Sequence, residues 1–223
     1  LDEDASGTED SPTIIRPAEG EKVVVSEEGD VCLYICNASH IVIEGIETEG
    51  GTHGIEYEST REAKGETLGD ITIRKCTVHG VRGIHGINFY ANNDLSAVSD
   101  ITIEDCEVFD CECGSSESVV LNGNIDGFLS AGNRIHDNNN IGIDMIGFEG
   151  LAMHPDKDSG RNPYEADQVR NGVCRDNVVY NISSEGNDDY FEDGEYDLCA
   201  HGIYVDGGRD IEICNNFIFN CDI

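Results

Sequence analysis

Five short segments carry polar side chains at one repeated spacing. They read Gly54-Ile-Glu-Tyr-Glu58, Gly86-Ile-Asn-Phe-Tyr90, Ser118-Val-Val-Leu-Asn122, Gly142-Ile-Asp-Met-Ile146 and Gly202-Ile-Tyr-Val-Asp206. In an extended strand successive side chains alternate between faces, so if the residue after the small one points inward, the second and fourth point to solvent. The solvent face then holds Glu56 and Glu58, Asn88 and Tyr90, Val120 and Asn122, Asp144 and Ile146, Tyr204 and Asp206. Asn88, Tyr90, Asn122 and Tyr204 are types that recognise sugars, because amides bond hydroxyl edges and aromatic rings pack on C–H faces. A merely solvated sheet face would also be polar.

Acids on the same face suggest a second chemistry. Asp144 and Asp206, set diagonally on neighbouring strands, are expected ~8 Å apart. With Glu149 or Asp167 from the segment 147–171 they would supply the oxygen ligands that one Ca²⁺ requires. Lys157, Arg161 and Arg170 are the basic groups of that segment. Asp167 and Arg170 would equally serve as a surface pair that pins it. Glu56 and Glu58, ~7 Å apart along one strand, fall in the range of inverting glycosidases, although two acids are expected by chance on so acidic a chain. His53, His85 and His201 each precede the glycine, with Glu117 and Ile141 interrupting their column; they read as metal ligands or, more simply, hydrogen-bonded bends.

These side chains must be held by a scaffold, and the chain repeats. Ile71-Thr-Ile-Arg-Lys-Cys76-Thr-Val78-His79 superimposes on segments starting at Ile101, Phe128, Gly172 and Ile211, and weakly on His40–Ile46. Copies begin 27 to 44 residues apart. Each unit is too short to bury a core alone, so units must stack, with like residues over like ~4.8 Å apart. Asn133, Asn177 and Asn216 share a turn column with Cys76 and Cys106; asparagine tolerates the left-handed turn and bonds along its own column. The expected fold is all-β: a right-handed parallel β-helix of about six coils over residues 13–223, with an acidic flexible tail at 1–12 and a loop insertion at 147–171.

The unit I-x-I-x-x-[NC]-x-[VI]-[HFY] followed by G-I-x-[VFM] resembles the repeat of the pectate-lyase-like superfamily. The stretch from Gly142 through Asp167-Gln-Val-Arg-Asn-Gly172 to Gly208 is similar to secreted bacterial proteins near the family-nine polysaccharide lyases. The resemblance implies a polysaccharide partner, an extracellular or cell-surface location, and Ca²⁺ neutralising a uronate while Lys157 or Arg170 removes the C5 proton. The rival expectation is a non-catalytic adhesive solenoid, since the same coils serve many functions.

Composition narrows the partners. With Lys+Arg 13 against Asp+Glu 46, the formal charge of −33 repels nucleic acid and anionic membrane, and equally a polyuronate unless something neutralises it. No apolar run approaches the roughly 18–20 residues of a membrane helix, so no membrane insertion is expected. Ten cysteines without a zinc-ribbon pattern suggest mixed usage with one or two disulfides at most; Cys76 and Cys106 are placed for one, or equally fill a buried stack as reduced thiols. The first residue is not Met, which reads as a processed or excised chain. The last repeat stops before its second strand, leaving an edge that further chain or self-association through open β-helix ends would cover.

Overall fold

The computed structural model describes residues 1–61, 68–154, 160 and 162–223. The first coil is β1 (Thr13–Ile15), β2 (Val24–Glu27) and β3 (Val31–Cys36); the second is β4 (Ile41–Glu44), β5 (Glu47–Gly50) and β6 (His53–Ser59). The third is β7 (Leu68–Arg74), β8 (Thr77–His79) and β9 (His85–Ala91), and the fourth β10 (Val98–Glu104), β11 (Glu107–Phe109) and β12 (Val119–Gly123). The fifth holds β13 (Ile125–Ala131), β14 (Arg134–Asn138) and β15 (Ile143–Ile146). In the sixth, β16 (Val169–Arg175) and β17 (Val178–Ile182) precede a small hairpin, β18 (Phe191–Glu192) and β19 (Glu195–Tyr196), then β20 (Ile203–Asp206). Last come β21 (Arg209–Cys214) and β22 (Phe217–Cys221).

Like strands pair in parallel into three sheets: β1-β4-β7-β10-β13-β16-β21, β2-β5-β8-β11-β14-β17-β22, and β3-β6-β9-β12-β15-β20. The fold is a parallel β-helix. The register is the one the repeats predict, with Ile41, Ile71, Ile101, Phe128, Gly172 and Ile211 in one column. A glycine sits in that apolar column because the Phe128 ring occupies its space; a Cβ on Gly172 would lie 1.8 Å from a ring carbon. Inward Ile, Val, Leu and Phe side chains from all three sheets form one continuous core.

The corners explain why Asp, Asn and Gly are so frequent. Gly45, Lys75, Asp105, Gly132, Asp176 and Asn215 all have positive φ at the bend between the first and second sheets, a conformation easiest for Gly, Asn and Asp. The asparagine ladder follows directly. Asn133 Nδ2 donates to Asn177 Oδ1 at 3.0 Å, and Asn177 Nδ2 donates to Asn216 Oδ1 at 3.0 Å. Each Oδ1 also accepts from the backbone of the preceding coil, Asn133 from Cys106 N and Asn177 from Asn133 N. Cys76 and Cys106 continue the column as thiols bonded to backbone carbonyls, and all ten cysteines are free, so the expected disulfides are not made.

Residues 1–12 depart from expectation. They are folded against the first coil: the Leu1 ammonium donates to Tyr34 O at 2.7 Å, Cys36 N donates to Leu1 O at 2.8 Å, and Glu3–Ala5 make a 3-10 turn. Backbone pairing with the edge of β3, together with Ala5 against the core, orders the segment despite its charge. At the opposite end β21 and β22 leave Ile213, Phe217, Ile218 and Phe219 exposed. Among the described residues, no helix is long and apolar enough to cross a membrane.

Candidate functional site

Two outward columns run along the third sheet. Glu56, Asn88, Val120, Asp144 and Tyr204 are in register on five successive coils, and Glu58, Tyr90, Asn122 and Ile146 on four. The alternation was legible in sequence; the environment was not. Asn88 and Val120 are fully buried, and Asp144 is only 2% exposed, with Glu56 and Asn122 also buried. Outward side chains of a sheet lose solvent only when loops fold over them, and here both corners send long connections, 110–118 and 183–202 on one side and the described residues 147–154 and 162–168 on the other. Asn122 Nδ2 donates to Glu149 Oε2 at 2.7 Å, joining the strand face to the second of these walls.

The floor of this slot has unmet hydrogen-bonding capacity. Both polar atoms of Asn88, Asn122 Oδ1 and Asp144 Oδ1 lack a partner while buried. A native fold rarely leaves such groups unpaired unless a ligand or water serves them. Val120 lies between Asn88 and Asp144 in the same column, an apolar residue flanked by polar ones on either side.

The wall residues carry the acid–base chemistry. Burial pushes the Glu117 carboxyl up to about 8, with Asp144, Glu149 and Asp206 adding like charge. Burial likewise raises Asp144 to about 7, helped by Asp206 and Glu149. The two carboxyls, from neighbouring coils of one sheet, each hold a proton more readily than an exposed acid does. Beside them, His85 Nδ1 donates to Glu117 O at 2.9 Å, so Nε2 is free to accept the Tyr90 hydroxyl. Burial holds His85 neutral, lowered to about 3, and raises the Tyr90 phenol. Sequence reasoning missed Glu117 and the His85–Tyr90 bond; the one signal was an acid replacing histidine in the column before the glycine.

The other expected residues are distributed as follows. Tyr204 continues the first column and stacks on His201 at 4.6 Å, and Asp206 is exposed at the slot's end. His53 and His85 are adjacent, ring centroids 5.6 Å apart. Asp167 is fully buried, and its two oxygens accept Gly150 N at 2.6 Å and Ala152 N at 2.9 Å, which makes it the pin of the 147–168 loop. Arg170 does not reach the slot: it lies on β16 of the first sheet, bonded to Asp126 at 3.2 Å. Lys157 and Arg161 lie outside the described residues.

Of the acids expected to gather Ca²⁺, two already hold other partners. Asp167 is committed to backbone amides and Glu149 to Asn122. Among the described residues no three His, Cys, Asp or Glu side chains converge as metal ligands.

The fold and site define a parallel β-helix with a loop-covered polar face on its third sheet, a fold shared with an alginate lyase of known structure. The alginate lyase of Paenibacillus sp. str. FPU-7 superimposes with a TM-score of 0.55 at 15% identity, covering 96% of this chain and 82% of that one. No family model matches. The uncharacterized protein YwoF of Bacillus subtilis (strain 168) is 40% identical over 237 aligned positions, covering all of this chain and 47% of the relative. The chain thus spans about half the length of the curated relative it matches.

Proposed function

We propose that this protein is an extracellular carbohydrate-active β-helix protein that binds a polysaccharide in the slot of the third sheet and cleaves it by β-elimination. The observation that carries the reading is the pair of carboxyls raised by desolvation, buried Asp144 and half-buried Glu117, beside a strand face on which Asn88, Asn122 and Asp144 atoms lack partners. In a uronate, one carboxylate takes the proton beside the sugar's carboxyl group. The freed electron pair forms the carbon–carbon double bond as the glycosidic C–O bond breaks, and a neighbouring acid protonates the leaving oxygen. Asp144, with the lower value, suits the base; Glu117 suits the acid. The alginate lyase likeness supports the scaffold.

Incubation with uronate polymers tests it. Ultraviolet absorbance from the unsaturated product is expected, reduced at least ~100-fold in both Glu117→Gln and Asp144→Asn. New reducing ends without absorbance would mean hydrolysis by the same carboxyls, and no new ends would sink catalysis.

A further inference from the structure

Outside the slot, the first sheet carries a cavity of about 410 Å³ lined by residues of four coils, among them Asp94, Asn124, His154, Glu165, Arg170 and Arg209. Two of the chain's 13 basic residues thus share one cavity. Arg170 and Arg209 are direct cross-strand neighbours, and like charges so placed repel.

Gln168 holds them together. Its backbone oxygen accepts Arg170 Nη1 at 3.0 Å, its Oε1 accepts Arg209 Nε at 3.2 Å, and its own amide is fixed to Gly207 O. Asp126 binds Arg170 Nε, and Asp210 binds Arg209 Nη1 at 2.6 Å. Each guanidinium is anchored twice, yet Nη2 of each has no partner among the described residues. Two fixed forks one coil apart, each with a spare N–H edge, match the paired oxygens of a carboxylate.

The cavity also presents an acceptor in need of a donor. Asn124 is 3% exposed; its Nδ2 donates to Asn93 O, while its Oδ1 is buried without a partner. Asp94, which faces His154 at 4.0 Å, and Glu165 are further acceptors. Hydroxyls satisfy such groups. A carboxylate alone would leave Asn124 unserved, and a neutral sugar would offer the guanidiniums only hydroxyl oxygens, weaker acceptors than a carboxylate.

We propose that this cavity is a second saccharide site that takes a carboxylated sugar residue, its carboxylate on Arg170 and Arg209 and a hydroxyl on Asn124 Oδ1. The assignment rests on the saccharide reading of the protein, but not on cleavage in the slot.

Isothermal titration of the whole chain with a galacturonate trimer, and with maltotriose as the neutral match, tests the proposal. Side-chain nitrogen NMR of arginine reports which groups are contacted. Binding of the acidic trimer is expected, weakened by salt, with shifts at the Arg170 and Arg209 Nε–H signals and far weaker binding of maltotriose. Arg209→Gln, on an exposed side chain, is expected to lower affinity roughly tenfold, the value of one charge-assisted hydrogen bond. Asn124→Ala provides a second arm should Arg170→Gln fail to fold. Equal affinity for the two trimers, or unchanged acidic-trimer binding in both Arg209→Gln and Asn124→Ala, would overturn the site. Loss of turnover in Glu117→Gln with arginine shifts intact would leave the second site standing independently; trimer binding at the arginines without any turnover would refute cleavage alone.

Discussion

His85 and Tyr90 stand at the two ends of β9, and the histidine's Nε2 accepts the tyrosine's hydroxyl across the strand face, the rings meeting edge-on at 5.5 Å and 75°. Because His85 Nδ1 is used on the Glu117 carbonyl, the bond ties the strand to the loop that brings Glu117 over the slot. Tyr90→Phe removes the partner that a buried Nε2 has among the described residues. Loss of about 1–3 kcal/mol is expected in denaturant unfolding, the cost of one unsatisfied buried group. An unchanged midpoint and slope would show that water replaces the hydroxyl.

Gly172 and Phe128 exchange volume between adjacent coils. With ring carbons 1.8 to 2.4 Å from where a Cβ would be, Gly172→Ala must push the ring aside, costing about 1–3 kcal/mol. Phe128→Ala alone opens a cavity and costs about 3–5 kcal/mol. Since the alanine methyl occupies part of that cavity, the double variant is expected to lose at least about 1 kcal/mol less than the sum. Strict additivity in urea melts would contradict this packing.

The coil scaffold could be read from the chain because stacking converts sequence periodicity into spatial columns without further information. Ile71, Ile101 and Ile211 align by type, and Asn133, Asn177 and Asn216 bond as the ladder predicts. The site was only half legible. Strand alternation told which way Asn88 and Asp144 point, whereas their burial depends on loops whose path has no repeat to reveal it. Asp167 resembles a ligand in sequence, and only folding shows both its oxygens on backbone amides. Arg170 follows the same loop but lands on another sheet, since the chain turns a corner between Ile146 and Val169.

The raised carboxyls make a signed prediction for stability. Asp144 and Glu117 bind protons more tightly folded, at about 7 and about 8, than unfolded. Between roughly pH 4 and 8 the native state therefore holds more protons, and stability falls as pH rises through that window. Asp137, held low by hydrogen bonds from His136 and Asn181, acts in the opposite sense, its contribution being lost as pH falls through its folded value. Asp144→Asn is expected to flatten the alkaline limb and raise Tm by a few degrees at pH 8, with little change at pH 5. A parallel decline in variant and parent would mean that Asp144 is ionised at no cost in the native slot.

Asp167 separates loop anchoring from metal binding. As a pin, it satisfies Gly150 and Ala152 N–H groups and so fixes the wall that carries Glu149. Asp167→Ala leaves the buried Ala152 N–H unpaired, at roughly 1–3 kcal/mol, and should open the 147–168 loop to limited proteolysis while the coils remain folded. Asp167→Asn keeps one acceptor and is expected to fall between. As the anchor uses no cation, Ca²⁺ should shift neither the parent's Tm nor its cleavage pattern. Protection of the parent by Ca²⁺, absent from Asp167→Asn, would show that Asp167 binds the metal as well as the two amides.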